Sequence, residues 1–173
     1  ECRKDPSGTL PGKSILFAIS KAHARRIEEL FDRLYPEHAG KLARVIVSED
    51  PRVYGKGGLL DQFKRQDMPR VAISVDMLDT GVDILDVVNL VFAKPVYSFV
   101  KFWQMIGRGT RLCEDLFGPG EHKTHFQIFD HWGNFEWFDE KYKPTDVVAT
   151  KSLMQLLFES RIQLADTALA QQD

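Results

Sequence analysis

The sequence predicts an α/β fold in which a parallel sheet is covered by helices on both faces. Short apolar runs bounded by turn residues recur along the chain, as buried strands require. Between them stand segments with apolar residues at helical spacing, and that alternation is the pattern of a parallel sheet. No internal repeat or low-complexity tract interrupts the rhythm.

Taken in order, residues 1 to 12 are polar, carry Pro6, Gly8, Pro11 and Gly12, and read as a linker or the tail of another element. Ile15 to Ile19 is the first strand. Ser20 can cap the helix behind it, where Ala24, Ile27, Leu30, Phe31 and Leu34 share a face, and Gly40 can end that segment. Val45 to Val47 is the second strand, followed by a polar turn with Ser48, Asp50 and Pro51. Leu59, Leu60 and Phe63 mark a short amphipathic helix, and Pro69 precedes a third strand at 71 to 75. Val87 to Phe92 is the fourth strand, Tyr97 to Ile106 a helix, and His125 to Phe129 the fifth strand. The expected division is a linker at 1–12, the α/β domain at 13–130 and an extension at 131–173. That extension opens with an aromatic turn at 131–138. It ends in a helix over 146–169 with Leu153, Leu156, Leu157, Ile162, Leu164 and Leu169 on apolar faces, packed on the chain or on a neighbour absent from it.

A chain of 173 residues can bury one good core with an appended element. At 43% hydrophobic and 28% charged it belongs with globular proteins rather than disordered ones. The net charge of -2 argues against a broad basic surface for nucleic acid. It leaves open contacts through helix N-termini and backbone amides, which add no formal charge. Two cysteines are too few for a disulfide framework, which makes a reducing cytoplasm the default. No apolar run is long enough to span a bilayer and no signal peptide is visible. The start on Glu1, without an initiator methionine, points to a piece of a longer protein.

The segment Gln104-Met105-Ile106-Gly107-Arg108-Gly109-Thr110-Arg111 carries the strongest chemistry. Its two arginines are separated by glycine and threonine, and glycines let the backbone turn tightly around one of them. A guanidinium keeps its charge and offers paired donors, so two of them can grip one phosphoryl group. The alternative is a solvated helix end with two surface ion-pair partners. Upstream, the strand at Val71-Ala72-Ile73 runs into Ser74-Val75-Asp76-Met77-Leu78-Asp79-Thr80-Gly81-Val82-Asp83-Ile84, which turns at Thr80-Gly81 and presents Asp83.

These two segments resemble motifs V and VI of superfamily 2 helicases and translocases, whose patterns are roughly T-G-x-D and Q-x-x-G-R-x-x-R. Lys13 to Ser20 is similar to motif IV, so the resemblance covers about residues 10 to 130. The wording of motifs V and VI looks most like the motor subunit of type I restriction enzymes. The resemblance implies the second of two RecA-like domains that close on ATP and Mg²⁺, with the phosphate loop and magnesium-binding acids on the first. Arg108 and Arg111 would then reach the γ-phosphate, Arg111 being the better finger candidate. Gln104 would orient the nucleotide or the attacking water, and Gly81 and Gly107 would allow close approach to the nucleotide. Asp83 would accept a hydrogen bond from the ribose or link to motif VI; otherwise it is a turn or cap aspartate. Ser20, Ser48 and Thr80, at the carboxyl ends of strands, become candidates for DNA-backbone contact, against a plain role as cap or turn residues. Lys21, His23, Arg25 and Arg26 form a basic patch or a solvated face. The implied partners are double-stranded DNA, the first RecA-like domain, and modification and specificity subunits, with no membrane.

Three apparent motifs are weaker. Gly12-Lys13-Ser14 imitates the end of a phosphate loop, but Ser7 stands where the first glycine belongs and a strand follows instead of a helix. Cys113, His122, His125 and His131 match no common zinc spacing. Asp115, Glu121 and Lys123 imitate a nuclease centre without strands to hold them in register. Among other readings, an RNA helicase would carry His-Arg-Ile-Gly-Arg wording, and a DNA-repair helicase of the same superfamily is a near alternative. A Rossmann enzyme would show G-x-G-x-x-G after the first strand. A non-catalytic α/β interaction module would have no reason to keep Asp83, Gln104, Arg108 and Arg111 together.

Overall fold

The computed structural model describes residues 2–75 and 83–141, and within that range the predicted architecture is the one observed. Five strands form a single parallel sheet: β1 (Ser14–Ala18), β2 (Ala43–Val45), β3 (Val71–Ser74), β4 (Asn89–Ala93) and β5 (Gln127–Asp130). Their order is β2-β3-β1-β4-β5, with β1 central and paired in register to Val71 on one side and Asn89 on the other through Ser14. Helix α1 (Lys21–Leu34) follows β1, α2 (Leu59–Arg65) precedes β3, α3 (Phe99–Ile106) follows β4 and α4 (Asn134–Lys141) follows β5. This is a RecA-like α/β sheet. The compact unit formed by the chain extends to Phe138.

Strand side chains alternate between faces, and the two faces build two separate cores. Leu16, Ala18, Ala43, Val71 and Ile73 point to the face covered by α1, where Ala24, Ile27 and Phe31 meet them. Ile15, Phe17, Ala72, Leu90 and Phe92 point to the other face, against Phe63 of α2, Phe102 and Met105 of α3, and Phe138 of α4. Rings carry much of that second core: Phe92 lies 5.3 Å from Phe17 and 5.5 Å from Phe102, and Phe102 stacks on Phe138 at 4.7 Å.

Several details depart from the sequence reading. The first strand stops at Ala18 because the Ile19 amide turns to donate to His23 Nδ1 (3.3 Å) instead of to a neighbouring strand. The second strand is Ala43–Val45 rather than Val45–Val47, since Ala43 is the residue opposite Val71. Residues 3 to 12, expected as a linker, fold back through a bridge between Lys4 and Pro11. Buried Asn89 pins them, accepting from the Arg3 amide (2.8 Å) and donating to the Arg3 carbonyl (2.9 Å). The aromatic segment expected as a turn at 131–138 is in large part helix α4. Asp130 accepts the amides of Trp132 and Phe135, and Asn134 is fixed to Asp130 and to the Val96 amide (2.7 Å). The helix expected over 146–169 lies outside the described residues, as do Thr80 and Gly81. Among the described residues no helix is long and apolar enough to cross a membrane.

Candidate functional site

In a parallel sheet all strands begin at one edge and end at the other, and a helix following a strand returns to the starting edge. Helix α3 leaves the carboxyl end of β4 and so delivers Gly107 to Arg111 to the edge where the strands begin. Its inward residues Phe102, Met105 and Ile106 are buried at helical spacing, and Ser98 caps its start by accepting from the Lys101 amide. At its end the backbone tightens. The amide of Gly107 reaches Trp103 O (2.9 Å), that of Arg108 reaches Met105 O (3.1 Å) and that of Gly109 reaches Ile106 O (2.9 Å). Thr110 Oγ1 closes the turn by donating to Gly107 O at 3.1 Å.

Gly109 is the glycine that this turn cannot replace. A Cβ there would stand 2.2 Å from Phe126 Cδ2, inside the ring's contact radius. The close approach sets the arginine loop against the start of β5. Arg108 is half-buried beside it, while Gln104, one turn earlier on α3, is exposed, as is Arg111.

Arg111 meets Asp83. Its Nε lies 3.1 Å from Asp83 Oδ1, and both side chains are more than half exposed. An ion pair in that setting adds at most about 1 kcal/mol to stability, so its main physical effect is orientation. The bond occupies the inner nitrogen of the guanidinium, and the two terminal nitrogens remain the donors suited to a phosphoryl group.

The segment that presents Asp83 is itself firmly anchored. Ile84, Val87 and Val88 are buried, and the Val88 amide donates to Lys13 O (2.8 Å). Lys13, 8% exposed, pairs with Asp86 at 2.7 Å and lies over the Phe63 ring. Lys123, 4% exposed, donates to Leu85 O at 3.1 Å. Burial pushes the Lys123 ammonium down to about 8, against the partial support of Cys113 and Asp86, and burial also raises the Cys113 thiol. Two buried lysines thus hold the approach to Asp83. Sequence reasoning placed Lys13 in the motif IV resemblance and in a false phosphate loop, and Lys123 only in a false nuclease centre; the available signal was a lysine just ahead of each of two apolar strand runs.

The remaining candidates fall as follows. Ser20 is the N-cap of α1, accepting from the His23 amide (3.2 Å), and lies exposed just beyond β1. Ser48 is exposed beyond β2 and donates to Glu49, which pairs with Lys21 at 2.8 Å. Both therefore stand at the edge where strands end, opposite the arginine loop. Arg25 and Arg26 are exposed on α1, and Thr80 and Gly81 lie outside the described residues. Lys13 opens a strand, as the sequence required, and is consumed by Asp86. Lys123 turns inward to Leu85, away from any arrangement with Asp115 and Glu121. Among the described residues no three His, Cys, Asp or Glu side chains are grouped to hold a metal ion.

No protein-family model matches the chain. Over 132 residues, 73% of its length, it is 36% identical to the type I restriction enzyme EcoKI endonuclease subunit of Escherichia coli strain K12. It is 31% identical over 135 residues to the EcoAI endonuclease subunit of Escherichia coli. The chain spans only 11% and 16% of those two relatives. A solved fragment assigned to an HsdR subunit of a type I restriction enzyme from Vibrio vulnificus YJ016 superposes with a TM-score of 0.61 at 28% identity, covering 77% of this chain and 25% of that one. The chain is therefore a homologue of one segment of the endonuclease subunits of type I restriction enzymes.

Proposed function

We propose that this chain is the second motor domain of an ATP-dependent DNA translocase within a type I restriction endonuclease subunit. The observation that carries the proposal is the meeting of Asp83 and Arg111 at one sheet edge, which ties motif V to motif VI. Arg111 is the arginine finger: its exposed guanidinium, steered by Asp83, stabilises charge on the γ-phosphate when the partner domain closes. Arg108 supports it from a half-buried position. Gln104 orients the nucleotide or water, and Gly107 keeps the backbone near the phosphates. ATP and Mg²⁺ are held mainly by the first RecA-like domain, because Gly12-Lys13-Ser14 opens a strand here and offers no phosphate loop.

Ser20 and Ser48 supply DNA-backbone contacts at the opposite edge, and Thr80, outside the described residues, is the third candidate for such a contact. Such contacts position the strand without reading its sequence, consistent with sequence choice lying in a separate specificity subunit alongside a modification subunit. Closure of two domains on ATP at one edge would shift the serine-bearing edge along the duplex.

The test is DNA-stimulated ATP hydrolysis by the full-length subunit. Arg111→Ala is expected to lower turnover by about 10³-fold or more. It should leave urea stability within about 1 kcal/mol, since its ion pair is exposed. Undiminished turnover would remove the finger assignment and leave the chain as an α/β interaction module. The chain alone is expected to hydrolyse no ATP.

A further inference from the structure

Asp83 has a second set of neighbours besides Arg111. A cleft of about 310 Å³ opens beside it, lined by Tyr54, Gly55, Leu60 and Lys64. That volume is at the lower end of the range of about 300 to 1,000 Å³ typical of small-molecule sites. Tyr54 is 53% exposed, although Val53 before it is fully buried. Its ring stacks on no other ring, and its hydroxyl bonds to no group, among the described residues.

The loop that carries Tyr54 is closely tied. The Gly58 amide donates to Gly55 O (3.1 Å), the Gly57 amide to Asp61 Oδ2 (2.9 Å) and Gln62 Nε2 to Gly57 O (2.8 Å). A Cβ at Gly58 would stand 2.6 Å from Val53 O and closer still to Tyr54 O, so the chain folds back directly over the residue that bears the ring. Val53 anchors the other side of that residue in the larger core. A tyrosine on such a mounting offers a flat apolar face and gives up little freedom when a ligand covers it.

We infer that Tyr54 is the platform on which the nucleotide base stacks in the proposed motor. The inference rests on that motor reading and adds to it the residue that receives the base. What carries it is Asp83, which lines the cleft with Tyr54 and also bonds Arg111 at 3.1 Å. The bond to Arg111 uses Asp83 Oδ1, and the side chain is more than half exposed, so Oδ2 can accept from a ribose hydroxyl. A nucleotide whose phosphates meet Arg111 and whose sugar meets Asp83 therefore has its base in the cleft with Tyr54. Half-buried Leu60 supplies apolar surface in the same cleft. Every group invoked is open to the cleft, and each matches one part of a nucleotide: ring to base, carboxylate to sugar, guanidinium to phosphate.

The test uses the full-length subunit and separates the base from the phosphates. A non-hydrolysable ATP analogue and inorganic tripolyphosphate, each with Mg²⁺, are titrated calorimetrically into the unaltered protein, Tyr54→Ala and Tyr54→Phe. Tyr54→Ala is expected to bind the analogue about tenfold or more weakly, the usual worth of a base on an aromatic ring. Tyr54→Phe should keep its affinity to within about twofold, because the stack needs the ring and not the hydroxyl. Tripolyphosphate has no base, so Tyr54→Ala should bind it as the unaltered protein does. In ATP hydrolysis the loss should appear in KM rather than in kcat. Tyr54 is exposed, so the fold is expected to survive its truncation, which the unfolding midpoint checks. Unchanged affinity for the analogue in Tyr54→Ala would overturn the inference, as would an equal loss for tripolyphosphate or an equal loss in Tyr54→Phe. If Arg111→Ala abolishes turnover while Tyr54→Ala binds the analogue normally, the motor reading stands and the base platform falls. Absence of saturable analogue binding by the unaltered subunit would remove both.

Discussion

Gly109→Ala tests whether packing, rather than hydrogen bonding, sets the arginine loop. Gly109 is buried and its backbone lies outside the left-handed region, so alanine there carries no conformational strain. On backbone entropy alone, alanine at such a site stabilises by about 0.4 to 1 kcal/mol. The steric term opposes this. The new Cβ would stand 2.2, 2.5 and 2.7 Å from Phe126 Cδ2, Cε2 and Cγ, and ordinary contact begins near 3.4 Å, so loop and ring must part by about 1.2 Å. Phe126 packs against the larger core and is followed directly by β5, which limits how far the ring can retreat. Overpacking of this kind costs about 1 to 3 kcal/mol, so the expected net is a loss of about 1 to 2 kcal/mol. Urea denaturation measures it. In the full-length subunit, DNA-stimulated ATP hydrolysis should fall as well, because the arginines move with the loop. Adding Phe126→Leu should restore part of the loss, with a coupling of about 0.5 kcal/mol or more between the two sites. A Gly109→Ala protein as stable as the parent, or one that Phe126→Leu only weakens further, would refute the packing argument.

Other expectations follow from the same geometry. Lys123 is held near 8 in the fold against an ordinary 10.5. Below about pH 8 it is charged in both states and its burial penalty is fully present. Between 8 and 10.5 the folded form releases the proton first, so stability from this group rises with pH by up to about 3 kcal/mol. Comparing it with Lys123→Met isolates the effect, in a Cys113→Ser background because the raised thiol acts in the opposite sense over that range; a flat difference would exclude it. Asn89→Ala should cost about 1 to 3 kcal/mol in urea denaturation, since it strands the part-buried Arg3 amide and removes a buried side chain. Asp83→Ala should shift stability by less than about 1 kcal/mol yet lower DNA-stimulated ATP hydrolysis, separating orientation from stability.

What was legible in the sequence follows from range. Strand and helix positions come from local periodicity, and each apolar run became a strand at or within a few residues of its expected place. The arginine loop was legible because a tight turn between arginines needs glycine locally. The Lys13–Asp86 pair and the Lys123–Leu85 bond were not, because their partners lie far apart in the chain and meet only across the sheet. Helix α4 was hidden for a different reason: Phe135, Trp137 and Phe138 follow one another too closely to show a helical stripe. What starts it is the Asp130 and Asn134 network, which reads locally as a turn.

The placement of the lysines bears on how the proposed motor would transmit force. Exposed pairs such as Asp83–Arg111 are weak, so a loop held only by that contact would yield when phosphate pulled on the arginine. Here the segment behind Asp83 is tied to β1 by Lys13 and Asp86, and to the residue chain entering β5 by Lys123. Strand β1 pairs on both sides from Ser14 to Phe17 and is buried throughout, and its five residues span roughly 17 Å at about 3.3 Å per residue. It ends just before Ser20. A displacement imposed at the arginine edge is thus carried through close-packed, hydrogen-bonded strand to the serine edge, because an interior at native density transmits strain. The weak contact selects where the arginine points, and the buried charges keep its mounting fixed while it does so.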